Sequence, residues 1–186
     1  MATAKKLNPT LQNFIKAQQL FFVATAAPDG RVNLSPKGCN SLHIVDDNRV
    51  IWLNLSGSGN ETAAHLRELN RMTLMFCAFK GDARILRLYG SADVYHPRDE
   101  KWEEYIKIFP QMAGSRQIFD MTIDLAQSSC GTGVPIMEFK QSRADTEMLP
   151  FYEDMGTDGV KDYWQRKNTF SIDKKPTGIN SDEDTA

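Results

Sequence analysis

The chain has few of the residues that build disulfide frameworks and metal centres. Its 186 residues include three cysteines and three histidines, and no two cysteines have the CxxC spacing typical of zinc sites. Cys39, Cys77 and Cys130 are odd in number and widely separated, which is typical of reduced thiols and not of a disulfide-linked secreted protein. The sequence therefore predicts neither a metal site nor a disulfide framework.

A basic excess and long hydrophobic runs are also missing. The 22 Lys and Arg residues are balanced by 24 Asp and Glu residues, so no positive charge is left over to neutralise a nucleic-acid backbone. The longest apolar run, residues 20–27, is far shorter than the ~20 residues that span a bilayer. The amino terminus lacks the apolar core of a secretory signal. These absences predict a cytoplasmic protein whose partners are neither nucleic acid nor membrane.

Short β-prone segments dominate the first half of the sequence. Two hairpins, a helix and two further strands are predicted there, in the order 20–27 with 31–37, 41–45 with 49–55, helix 60–69, strand 72–79 and strand 84–95. Asn60 is placed to cap the helix, and Gly90 marks a bulge or a close backbone approach. Six strands with short connections are typical of a barrel or a sandwich.

Helix signals become more frequent in the second half. The predicted elements are a helix opened by Pro97 that packs Trp102, Tyr105 and Phe109 into the core or a dimer interface, strands at 121–125 and 134–139, and a last helix around 160–164. Residues 180–186 are polar and acidic and are predicted to be disordered. We therefore expect one domain over residues 1–179, with its core at about 8–95 and a C-terminal extension at 96–179.

The first candidate binding element is a loop rich in glycine and serine, at residues 56–59, between a predicted strand and the helix at 60–69. Glycines allow backbone N–H groups to approach an anion, and the start of a helix adds unpaired N–H groups and a positive dipole end. The loop can therefore cradle a phosphate. A simple connection with a helix cap is the alternative.

The second candidate is the strand at 31–37. Alternation places Arg31, Asn33 and Ser35 on one face, and Lys37 ends the strand. Pro36 cannot donate to a β-ladder, so the strand lies at a sheet edge or ends there. The polar face can line a site for an anionic ligand, or it can be the solvated face of an edge strand.

Two other reactive side chains have simpler interpretations. His65, one turn into the predicted helix, is expected to be exposed or to serve in capping. Cys130, beside two glycines, is expected to be a buried small residue in a tight turn. Neither is predicted to be catalytic.

These elements, in this order, resemble the pyridoxamine 5'-phosphate oxidase-like family of FMN-binding split barrels. The resemblance covers about residues 8–95 and is carried by PDGRVNLSPKG at 28–38, VDDNRVIWLN at 45–54, GSGNET at 57–62, RMTLMFCAF at 71–79 and RILRLYGSA at 84–92. CGTGVP at 130–135 and KNTFSID at 167–173 are similar to the C-terminal extension of one uncharacterised branch. The resemblance implies a mainly β (α+β) fold, a six-stranded split β-barrel with flanking helices, in a homodimer that holds FMN between its subunits.

The resemblance also implies roles for individual residues. It implies seven FMN contacts of three kinds: phosphate ligands (Ser58, Asn60 and Thr62), ribityl or ring contacts (Asn33, Ser35 and Lys37) and a further positive charge (Arg87). No side chain is assigned as a catalytic acid or base, because hydride transfer to the flavin needs none.

The chain departs from the vitamin B6 oxidases of this family at two places. Those members carry a basic pair in the phosphate loop, where this chain has Glu61 and Thr62, and they end in an arginine–leucine motif that is missing here. We therefore expect an FMN-dependent oxidoreductase of unknown substrate that is not a true pyridoxamine-phosphate oxidase. A non-catalytic flavin-binding or storage protein, and a split barrel that uses haem or a deazaflavin, are the alternatives.

Overall fold

The computed structural model describes residues 2–180, so the tail predicted to be disordered lies almost entirely outside the described residues. The described part forms eight strands: β1 (Ala2–Ala4), β2 (Phe21–Thr25), β3 (Asn33–Lys37), β4 (Leu42–Ile44), β5 (Arg49–Leu55), β6 (Met72–Cys77), β7 (Arg84–Tyr95) and β8 (Ser115–Cys130). Its helices are α1 (Pro9–Lys16), α2 (Glu61–Glu68), α3 (Trp102–Tyr105) and α4 (Leu149–Lys167), with a 3-10 turn at Ile106–Ile108 and a π-helical turn at Ala144–Met148. No helix within residues 2–180 is long and apolar enough to cross a membrane.

The strands form one antiparallel sheet that curls into a half-barrel. Its order is β3-β2-β6-β7-β8-β5-β4, and β1 also pairs with β8. The mainly β, α+β split-barrel class is confirmed, with eight strands in the described residues where six were predicted. β8 is longer than the predicted strand at 121–125, because the buried polar residues Arg116, Gln117 and Asp120 hide its beginning in the sequence pattern.

The two predicted hairpins are confirmed. β2 pairs with β3 so that Phe21 lies opposite Lys37, and β4 pairs with β5. Gly90 lies at a register shift between β7 and β8. A Cβ atom there would collide with the carbonyl oxygen of Thr122, so this position requires glycine.

Two predictions for the second half were wrong in extent or type. The helix predicted from Pro97 begins only at Trp102, because Asp99 first closes a tight turn by accepting the backbone N–H of His96 at 2.6 Å. Residues 134–139 are irregular and not a strand. Pro135 has no N–H to donate there.

Apolar clusters lie on both faces of β5 and β8. On one face, the Trp52 and Phe119 rings stack with centroids 4.3 Å apart, and α1 and α2 help to cover them. On the other, Trp102, Tyr105 and Phe109 pack against these strands, as expected for core residues. β5 is therefore buried on both sides, and the loop that follows it starts from a fixed position.

Candidate functional site

A cavity of about 350 Å³ lies where β3, the end of β5 and the start of α2 meet. Five of the seven residues predicted to contact FMN line it together: Asn33, Ser35, Lys37, Asn60 and Thr62. The β2–β3 hairpin brings the first three to the loop after β5, although more than twenty residues separate Lys37 from Asn60 along the chain. The two candidate elements of the sequence thus form one site.

The other two predicted residues do not line this cavity. Ser58 is exposed, whereas its neighbours Gly57 and Gly59 belong to the cavity wall. Arg87 lies on β7, where its guanidinium donates to Ser129 Oγ at 3.2 Å. Neither side chain is therefore placed to contact a ligand held in the cavity of its own protomer.

Arg116 lines the cavity and was not predicted. Only 2% of this residue is exposed, and Nη1 donates to the carbonyl oxygen of Gly59 at 3.0 Å. Its Nε is buried without a hydrogen-bond partner in the described structure. The sequence offers one weak signal for Arg116, which is its position directly before the β-prone residues Gln117 to Phe119. That signal can be interpreted only once β8 is known to begin at Ser115.

Lys37, which is half-buried, brings a second positive charge into the cavity. Burial, with a smaller contribution from the like charge of Arg116, lowers the pKa of Lys37 to about 8. Its Nζ donates to Asn54 Oδ1 at 3.0 Å and lies 5.5 Å from the centre of the Trp52 ring. Burial also lowers the pKa of Arg116, to about 10.

Neither cation forms an ion pair with a carboxylate among residues 2–180. A buried and a half-buried charge of the same sign without a counter-ion are costly, because burial removes the water that would solvate them. An anion in the cavity would supply the missing charge to both Lys37 and Arg116. The arrangement is therefore suited to hold a phosphate or a similar group.

A buried hydrogen-bonded network forms the polar wall of the cavity. Ser35 Oγ donates to Asn33 Oδ1 at 2.8 Å, and Asn33 Nδ2 donates to Thr62 Oγ1 at 3.2 Å and to Thr25 Oγ1 at 3.3 Å. The Thr25 hydroxyl in turn lies 3.1 Å from Nδ1 of His65, which is buried and not exposed as predicted. This network fixes β3 against the beginning of α2.

Asn60 does not cap α2 as predicted. Its side chain makes no capping hydrogen bond. Instead Nδ2 donates to the carbonyl oxygen of Asn168 at 3.3 Å, and Oδ1 is buried without a partner in the described structure. The Asn60 side chain therefore does not compete with a ligand for the first N–H groups of the helix.

The C-terminal segment holds the loop at 56–59 from outside the cavity. Trp164 Nε1 donates to Ser56 Oγ at 2.7 Å, and Asn168 Nδ2 donates to the carbonyl oxygen of Gly57 at 2.8 Å. These contacts come from α4 and the residue after it, more than 100 positions along the chain. The shape of the loop thus depends on the C-terminal extension.

Glu61, which replaces a basic residue of the vitamin B6 oxidases, is engaged by the same extension. Its carboxylate accepts the backbone N–H of Ile172 at 3.1 and 3.2 Å. Arg31, predicted on the polar face of β3, also turns outward and binds the Asp173 carboxylate through its side chain and its backbone N–H. Both charged groups therefore anchor the C-terminal segment.

Cys130 lies away from the cavity, at the end of β8. It is exposed and not buried as predicted. A hydrogen bond between its thiol and Thr132 lowers the pKa of Cys130. Cys39 does line the cavity, and burial raises the pKa of its thiol.

Comparisons with known proteins agree with this geometry. Residues 7–130 match the sequence model of a family described as pyridoxamine 5'-phosphate oxidase. A pyridoxamine 5'-phosphate oxidase family protein from Aspergillus flavus, ustO, is 34% identical over 153 residues. That match covers 80% of this chain and 61% of the relative, so the chain spans less than two thirds of the relative's length.

Solved structures show the same fold at low sequence identity. A candidate pyridoxamine 5'-phosphate oxidase from Lactobacillus delbrueckii superposes with a TM-score of 0.55 and 16% identity, over 68% of this chain and 99% of that one. HupZ from Group A Streptococcus superposes with a TM-score of 0.51 and 17% identity, over 64% of this chain and 91% of that one. The family match includes all the cavity residues except Met148 and ends before the C-terminal segment that holds the loop.

Proposed function

Because the chain belongs to the pyridoxamine 5'-phosphate oxidase family, we propose that its cavity binds the phosphate end of FMN. The observation that carries this proposal is the pair of cations, buried Arg116 and half-buried Lys37, which have no carboxylate partner among residues 2–180. A phosphate between them would replace like-charge repulsion by two charge-assisted interactions. The residues present therefore fit the cofactor.

Several of the other lining residues suit the rest of a flavin nucleotide, and the carboxylate of Glu61, which also lines the cavity, is engaged by the Ile172 N–H. Thr62 and the first N–H groups of α2 can donate to phosphate oxygens, while Asn33 and Ser35 offer an amide and a hydroxyl to the ribityl chain. Ser58 and Arg87 are no longer assigned to this cavity. When bound, FMN would supply the exchange of a hydride or of single electrons, and the protein would bind it, orient it and exclude water.

We further propose that the protein is an FMN-dependent oxidoreductase of unknown substrate and not a pyridoxamine-phosphate oxidase. Glu61 occupies a position that is basic in the vitamin B6 oxidases, and its carboxylate accepts the backbone N–H of Ile172. The cation Arg31 is likewise engaged, by the Asp173 carboxylate. The positive groups that would have to bind a second phosphate are thus either missing or engaged within the chain.

A homodimer is the assembly that we propose. β3 lies at the edge of the sheet, and two large apolar side chains are exposed there: Val32, just before the strand, at 74%, and Leu34, on its outward face, at 62%. Large apolar side chains beside a ligand cavity are typical of a surface that a second subunit covers. A second copy could also bring Arg87 to a flavin held by the first, which the arrangement within one protomer does not do.

The cofactor is tested by the visible spectrum of the purified protein. We expect the two bands of an oxidised flavin, and release of FMN on denaturation. A Soret band or a deazaflavin spectrum would contradict the assignment. Haem is not expected, since the cavity lining within residues 2–180 contains no histidine to ligate it. Reduction of the bound flavin by NAD(P)H would then support an enzyme, whereas a flavin inert to every reductant tried would favour storage.

A further inference from the structure

A chain of buried side chains leads from Lys37 across one face of the sheet to His96. Lys37 Nζ donates to Asn54 Oδ1 at 3.0 Å, and Asn54 Nδ2 donates to Gln117 Oε1 at 3.2 Å. Gln117 Nε2 then lies 3.2 Å from His96 Nε2. Asn54, Gln117 and His96 are 2%, 0% and 6% exposed, so bulk water cannot replace these contacts.

Hydrogen-bond chemistry allows this chain only one direction. An ammonium group has donors and no acceptor, so Asn54 must present its oxygen to Lys37 and its NH₂ group to Gln117. Gln117 must therefore accept from Asn54 and direct its own NH₂ group at His96. Each amide is oriented by the one before it.

The direction of the chain decides the tautomer of His96. Since Gln117 donates, His96 Nε2 must accept and carry no proton. The imidazole proton is then on Nδ1, which lies 3.5 Å from the Asp99 carboxylate. A proton on His96 Nε2 would point at the NH₂ group of Gln117, which is also a donor. Both amides would have to turn over to avoid this, and Asn54 would then direct its NH₂ group at the Lys37 ammonium.

We propose that Asn54, Gln117 and His96 are positioning residues for Lys37, and that the orientation of both amides is coupled to the Nδ1–H tautomer of His96. In this arrangement the Lys37 ammonium is held at the cavity by an oxygen whose orientation is coupled to the position of the His96 proton, beyond the two amides on the same face of the sheet. The far end faces a second cavity of about 560 Å³, which His96 and Asp99 line together with Arg67 and Arg98. The inference rests on the proposed function only where FMN affinity is the readout.

The Asn54→Asp substitution tests the chain at a distance. Its carboxylate can only accept, so Gln117 must turn its NH₂ group towards residue 54 and its oxygen towards His96. His96 Nε2 is then expected to gain a proton, although residue 54 does not touch the imidazole. The new carboxylate would also pair with the Lys37 ammonium and weaken FMN binding by at least about ten-fold.

The measurement is the tautomeric state of His96 by long-range ¹H–¹⁵N NMR of the full chain, with the His96 signals assigned by their loss in a His96→Gln variant. We expect an unprotonated Nε2 in the wild type and in the control Asn13→Asp, which adds the same charge on an exposed position of α1. We expect a protonated Nε2 in Asn54→Asp. If that variant does not fold, Gln117→Glu serves instead, because its carboxylate would also require Nε2–H.

A protonated Nε2 in the wild type would overturn the proposal, and so would a folded Asn54→Asp protein whose Nε2 stays unprotonated. If the tautomer changes as expected but the wild type binds no FMN, the hydrogen-bonded chain stands and the proposed function fails. If FMN binds and the tautomer does not respond, the opposite conclusion holds.

Discussion

Replacing Lys37 by methionine is expected to change how the stability of the ligand-free protein depends on pH. Burial lowers the pKa of Lys37 from 10.5 to about 8 in the folded protein. Between these two values the unfolded chain binds more protons than the folded one. Because stability rises with pH wherever that holds, the wild type gains stability from pH 8 upwards and bears the full cost of the buried charge below it.

The size of this effect follows from the pKa difference. The full shift corresponds to about 3 kcal/mol, and about 2 kcal/mol of it falls between about pH 7.5 and about pH 9.5. Lys37→Met removes this pH-dependent part. It also leaves Asn54 Oδ1 without the ammonium donor, a loss of about 1–3 kcal/mol that does not vary with pH.

Urea unfolding of the ligand-free protein measures both parts. As the pH rises over this range, we expect the unfolding free energy of the wild type to increase by about 2 kcal/mol relative to Lys37→Met. Lys161→Met, which removes an exposed lysine of α4, is the control and should run parallel to the wild type. A constant difference between Lys37→Met and the wild type would refute the account of a buried, uncompensated ammonium.

Three further outcomes are expected. Gly90→Ala should destabilise the fold by more than about 2 kcal/mol, because its methyl group meets the Thr122 carbonyl oxygen; urea unfolding of this variant checks it, and wild-type stability would contradict it. Leu34→Glu should shift the protein towards the monomer in light scattering, since it places a charge on the apolar outward face of β3; an unchanged dimer would place the interface elsewhere. Glu61→Gln should keep FMN affinity within about three-fold. It should also make the C-terminal segment easier to cleave by protease, because a neutral amide accepts the Ile172 N–H less strongly. A large loss of flavin affinity would show that Glu61 acts on the ligand.

The parts of this fold that local chemistry determines could be predicted from the sequence. The turn Pro28-Asp29-Gly30 and the alternation that follows it define the first hairpin, and its register brings Asn33, Ser35 and Lys37 to one side. Gly90 was identified as a bulge because a glycine inside a long strand needs a reason of this kind. Each of these signals lies within a few residues of the feature it predicts.

The parts that depend on distant contacts could not be predicted. Arg116 was not predicted as a binding residue, because a charged residue is rarely buried. The structure buries it in the wall of the cavity. Asn60 and Glu61 were assigned by position in a motif, but Asn168 and Ile172 determine what their side chains do. His65 was expected at the surface because nothing nearby in sequence indicates its bond to Thr25.

Comparing FMN with riboflavin tests most directly whether the cavity between Lys37 and Arg116 holds a phosphate. The two ligands differ only in that group, so their affinities for the wild type should differ by at least about a hundred-fold if both cations bind it. In Lys37→Met and Arg116→Met this ratio should shrink by about ten-fold or more each, with riboflavin affinity little changed, while Lys161→Met keeps the full ratio. Equal affinities of the wild type for FMN and riboflavin, or a ratio that neither cavity variant alters, would contradict the account.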